Sequence, residues 1–68
     1  MIYASLTINC DVSIVEQEDG FHFYVLGNLH KNDFIVPNRH EAINECLWLR
    51  TQGIDIPNYV IEKLRNEK

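Results

Sequence analysis

Residues 1–30 contain no lysine or arginine, and their only acidic side chains are Asp11, Glu16, Glu18 and Asp19. Residues 31–68 hold six acids and six bases, which cancel, so the net charge of −4 belongs to the N-terminal part. Phosphate backbones are held by Lys and Arg, whose contacts release counterions, so no direct contact with nucleic acid is expected. A protein partner with a basic surface is attracted instead. The same acids also serve simply to keep a free domain in solution. Cysteine is scarce too: Cys10 and Cys46 cannot build a disulfide framework. Met1 leads into polar alternation rather than a basic stretch and an apolar run, so no secretory leader is read, and a cytoplasmic chain with reduced thiols is expected. No run approaches the roughly 20 apolar residues of a membrane span. Three scattered glycines exclude a phosphate-cradling loop. With 68 residues the chain is one domain, 1–68, and a core of that size is marginal, burying only about 60% of the unfolded surface.

What is present is alternation. Ile2, Ala4, Leu6, Ile8, Cys10, Val12 and Ile14 are apolar, and most residues between them are polar. Period two means a strand with one buried and one wet face. Thirteen extended residues span about 43 Å, against a radius of gyration of about 11 Å for a compact domain of this length. The strand therefore bends, breaks near Asn9–Asp11, or projects to pair elsewhere.

Asp19-Gly20 is a strong hairpin signal, since a mirror-image two-residue turn needs positive φ. It predicts Glu18 opposite Phe21, Glu16 opposite Phe23, Ile14 opposite Val25 and Val12 opposite Gly27, with the apolar sets on one face. A second turn falls at Gly27-Asn28 or at Asn32-Asp33. Apolar burial of Leu29, Phe34 and Val36 favours the latter, with strands over about 21–30 and 34–37. Asn38 and Glu41 form a helix-capping pattern, and Gly53 marks the stop after about Gln52. Ala42, Ile43, Cys46, Leu47 and Leu49 are its apolar arc. Pro57 opens a short second helix with Val60, Ile61 and Leu64 inward. The expected fold is α+β: a three-stranded antiparallel sheet, its first strand long and bent or broken, one helix on one face, and a short C-terminal helix.

Chemistry is thinly represented. His22, His30 and His40 fit no metal or nucleophile spacing, and His22 and His30 lie about 26 Å apart along an extended strand. Cys10 and Cys46 face the core by periodicity and read as small hydrophobes. Glu16 and Glu18 fall on the inner face near the hairpin tip, where sheet-end solvation explains them better than a carboxylate pair. No catalytic, cofactor or metal site is assigned. Binding surface is better represented. Trp48 lies opposite the apolar arc among Asn44, Glu45, Thr51 and Gln52, as a hot-spot residue does unless Ile56 or Tyr59 folds over it. The outer sheet face carries Val15 opposite Tyr24, Ser13 opposite Leu26, and Ile35 near His30, a semi-apolar stripe that either is covered or is ordinary cross-strand packing. Asp11, Glu16, Glu18 and Asp19 supply the charge for a protein contact.

The order of a strand, Glu18-Asp19-Gly20-Phe21, a strand, a short strand, a helix opening Glu41-Ala42, then Gly53 and Ile56-Pro57 resembles the HicB-type antitoxin domain over roughly residues 12–57. The resemblance implies a reduced ribonuclease-H-like fold that masks a small toxin ribonuclease, in a bacterial or phage-infected cell. It assigns no role to any single residue. The expectation is a non-catalytic binding regulator, antitoxin-like or a phage-encoded anti-defence inhibitor, that occludes a basic nucleic-acid-handling partner or pairs with a second copy as a homodimer. A nucleic-acid module using the outer sheet face and a small hydrolase with a degenerate site are the alternatives.

Overall fold

The structure, a computed structural model, describes residues 1–27 and 33–66. Its elements are β1 (Ile2–Ala4), β2 (Val12–Gln17), β3 (Gly20–Val25), β4 (Asp33–Val36), α1 (Arg39–Thr51) and α2 (Asn58–Asn66). The strands form one antiparallel sheet in the order β1-β2-β3-β4, and both helices pack on the same face of it. The class is α+β as expected, but the sheet has four strands rather than three. The radius of gyration is 10.7 Å.

The extra strand comes from a reversal inside the alternating segment. Thr7 and Cys10 exchange both backbone hydrogen bonds, at 3.0 and 3.2 Å, and Ile8 projects from the tip with 93% of its surface exposed. The first residues therefore fold back as β1 against β2, with Ile2 opposite Val15 and Ala4 opposite Ile14. One extra residue on β1 between those pairs makes a bulge, which lets both Tyr3 and Ala4 reach the core.

The β2–β3 hairpin keeps the expected faces in a different register. Ile14 lies opposite Phe23, Val12 opposite Val25, Glu16 opposite Phe21 and Gln17 opposite Gly20. The reason is local. Among the described residues no non-glycine has positive φ, and in this hairpin that conformation falls on Gly20, at +130°. Asp19 thus cannot sit in a mirror-image turn, and the loop is Glu18–Asp19. Moving the loop by one position shifts every pair by two, which leaves each side chain on its original face. Val12 gains an apolar partner, Val25, where the expected register sets it against Gly27, and Ile14 exchanges Val25 for Phe23.

The β3–β4 pairing also differs: Tyr24 opposes Asp33, Phe23 opposes Phe34, His22 opposes Ile35 and Phe21 opposes Val36. Phe23 and Phe34 stack with ring centroids 5.1 Å apart, an arrangement the Asn32-Asp33 turn would have prevented by setting Leu29 against Val36. The Gly27-Asn28 and Asn32-Asp33 turns and the end of the longer second strand fall on or against residues 28–32, outside the described residues.

Helix α1 begins as its capping residues dictate: Asn38 Oδ1 accepts from the Glu41 amide at 2.9 Å. The Glu41 carboxylate makes no return bond, so only half of the capping box forms. At the other end the Gly53 amide donates to the Arg50 carbonyl and the Ile54 amide to the Leu49 carbonyl, with Gly53 at φ +86°, which is a Schellman stop. Ala42, Cys46 and Leu49 are buried and Ile43 packs at the margin, but Leu47, expected in the core, is 43% exposed. At 100° per residue it stands well off the Ala42–Cys46–Leu49 line, and the sheet reaches only the narrower stripe. Arg50 clamps the turn into α2, donating from Nε and Nη2 to the Ile56 carbonyl and from Nη2 to Asn58 Oδ1. Val60, Ile61 and Leu64 close the core against Val12, Ile14, Phe21, Phe23 and Val25.

Candidate functional site

With both helices on one side, no described element covers the other side of the sheet. Its central row runs across all four strands as Ile2, Val15, His22 and Ile35, each opposite the next. The neighbouring row is Ser13, Tyr24 and Asp33. Leu26 continues the outward parity beyond β3. Ile2, Tyr24, Leu26 and Ile35 are exposed, Ile35 at 49%, and Val15 is half-buried. This corrects the expected pairings, since Val15 faces His22 rather than Tyr24, and Ser13 faces Tyr24 rather than Leu26. Ile35 lies beside His22; its expected neighbour His30 is outside the described residues. Ile2 and His22 were the residues that sequence reasoning left out. The hairpin register sets His22 opposite Val15, whereas Ile2, which alternation puts on the face of Ala4, is turned outward by the β1–β2 pairing and its bulge.

His22 is held from the hairpin tip. Its Nε2 lies 2.6 Å from Asp19 Oδ1. That hydrogen bond is the main reason the Asp19 carboxyl sits below its ordinary range. Among the described residues no hydroxyl or thiol is hydrogen-bonded to this pair. Asp19 and the exposed Glu18 place negative charge at this end of the face, and Asp33 adds more on the neighbouring row. None of the four strands carries a lysine or arginine. Every described cation other than the N-terminus and histidine is in a helix: Arg39, Arg50, Lys63 and Arg65.

The remaining expected residues go elsewhere. Glu16 lies on the inner side, where Oε1 accepts from the Tyr3 hydroxyl at 3.1 Å, and Arg39 Nη2 donates to that hydroxyl at 3.3 Å. Burial, and then Glu16, push the Tyr3 phenol above its ordinary value, and Arg39 Nε is buried without a partner. Asp11 is part of a latch between the start of β2 and the α1–α2 connection. Its amide donates to the Asp55 carbonyl at 2.8 Å, and its Oδ2 accepts from the Asp55 amide. Trp48 is on α1, 52% exposed, and neither Tyr59, itself 56% exposed, nor the buried Ile56 covers it fully. It borders an open cleft of about 390 Å³ with Val36, Glu41, Asn44 and Glu45.

Cys10 and Cys46 are both fully buried free thiols. The Cys46 thiol is pushed up to about 12, chiefly by burial, so it stays protonated near neutrality. Among the described residues no group of three or more His, Cys, Asp or Glu side chains could hold a metal ion. No described helix is long and apolar enough to cross a membrane. Compared with protein-family models, curated proteins and solved structures, the chain matches none.

Proposed function

We propose that this protein is a non-catalytic binding regulator that covers a basic, nucleic-acid-handling protein with its bare sheet face. The observation that carries the reading is the row Ile2–Val15–His22–Ile35, flanked by Tyr24 and Leu26, edged with acids and free of lysine and arginine. Apolar area at the centre supplies affinity, and an acidic margin attracts a cationic partner while repelling nucleic acid. The resemblance to HicB-type antitoxin domains suggests the same kind of partner. An antitoxin or a phage-encoded inhibitor acting in the cytoplasm fits equally well.

The test is co-purification from the native host after nuclease treatment, with mass spectrometry of what stays bound. The wild-type chain is compared with Tyr24→Ala and Ile35→Lys. Both positions are exposed, so the fold should tolerate the changes. The expected result is a basic protein whose capture falls at least about tenfold with Ile35→Lys, because a cation now meets a cationic surface. Capture that ignores both variants, or of an acidic protein, sinks the proposal.

A further inference from the structure

We infer that the cleft between β4 and α1 receives a cationic side chain, arginine or lysine, from the protein partner. This deepens the reading above and rests on it, adding a second contact with its own chemistry. Val36, the last residue of β4, contributes the apolar wall. Glu41 and Glu45, like Asn44 and Trp48, are four residues apart, and Glu41–Asn44 and Glu45–Trp48 are three apart, so one flank of α1 supplies the rest. Its volume of about 390 Å³ admits a long side chain and the backbone that carries it.

The charges in this cleft are unbalanced. Neither the Glu41 nor the Glu45 carboxylate has a cation or hydrogen-bond donor among the described residues, and carboxylates four residues apart on a helix repel each other. The two arginines of α1 are engaged elsewhere: Arg39 on the Tyr3 hydroxyl, Arg50 on the Ile56 carbonyl and Asn58. A cation from outside relieves the repulsion. Trp48 makes the site selective for a cation with a long stem, because indole is the best aromatic partner for ammonium and guanidinium groups. The Asn44 amide adds a neutral acceptor. The bare sheet face offers apolar area, whereas this cleft reads positive charge.

Trp48 is the only tryptophan in the chain, so its fluorescence reports on this cleft alone. The full chain is titrated with capped Gly-Arg-Gly, with its lysine counterpart, and with the neutral citrulline counterpart. The expected result is a saturable change in emission at millimolar peptide, weakened by salt and at least about tenfold weaker with citrulline. Glu41→Gln combined with Glu45→Gln should weaken the arginine peptide about fivefold or more, with the circular dichroism spectrum and Tm retained. No saturable change, an equal response to citrulline, or an unaffected double variant overturns the inference. The two proposals fail separately. A basic protein captured through the sheet face but indifferent to the glutamine pair removes only the cleft, whereas a saturating peptide without any captured basic protein removes only the sheet-face reading.

Discussion

Gly20 lies against the backbone carbonyl of Val36 with no room for a side chain between them. A Cβ at Gly20 would stand well inside van der Waals contact with the Val36 oxygen, and its φ of +130° is one that other residues rarely adopt. Gly20→Ala therefore meets a steric and a backbone penalty together. A loss of about 2–4 kcal/mol is expected, measured by urea unfolding. A change under about 0.5 kcal/mol would show that the hairpin closes differently.

Phe23 and Trp48 should separate cleanly on truncation. Phe23 is 1% exposed and stacked on Phe34, so Phe23→Ala is expected to cost about 3–5 kcal/mol. Trp48→Ala, at a half-exposed position, should cost less than about 1.5 kcal/mol. Equal losses in denaturant melts would mean that the indole is part of the core.

Alkaline pH should weaken the fold through Cys46. Its folded value is about 12 against an ordinary 9.0, so above pH 9 the unfolded thiol gives up a proton that the folded one keeps. Stability contributed by the raised value is complete below pH 9 and falls as pH rises towards 12, with a limiting slope of about 1.4 kcal/mol per pH unit. Unfolding curves between pH 8 and pH 10 test this below the range where the raised Tyr3 phenol adds its own loss. Cys46→Ala, although less stable throughout, should show the flatter dependence, and an unchanged slope would exonerate the thiol.

Nucleic acid is expected to bind no tighter than about 10⁻⁴ M at physiological salt, the weak end of non-specific affinity. Single- and double-stranded DNA and RNA should run unshifted in native gels with low-micromolar protein. A salt-sensitive shift would transfer the sheet face to the nucleic-acid alternative.

Faces were legible in the residue pattern where partners were not. Alternation repeats every two residues, so a register slip of two leaves Ile14, Phe23 and Val25 on the core face while changing which of them meet. The choice between Phe23 and Val25 as the partner of Ile14 depends on which residue takes positive φ, and Asp19-Gly20 can place it in more than one way. Helix α1 was readable at both ends because Asn38 and Gly53 act locally. The exposure of Leu47 depends on how wide a stripe the sheet can cover, which is a tertiary quantity. The reversal at Ile8–Asn9 has no glycine or proline to announce it. Only the mismatch between strand length and domain size pointed to a break there. Of the expected site residues, Val15, Tyr24, Leu26 and Ile35 share the outer face. Asp11 and Glu16 are engaged by Asp55 and Tyr3, contacts that span 44 and 13 positions and so escape local reading.

Strand order has a kinetic consequence. Because β1, β2, β3 and β4 each pair with their neighbour in the chain, every sheet contact closes a modest loop, and such topologies fold fast for their size. Among the described residues the distant hydrogen bonds are those of Asp11 with Asp55, Arg39 with the Tyr3 hydroxyl, and Lys63 Nζ with the Ile2 carbonyl 61 positions away. Weakening these should accelerate unfolding more than it slows folding, provided that they form after the rate-limiting barrier. The lifetime of the folded chain would then be set by the contacts fastening the helical layer to the meander.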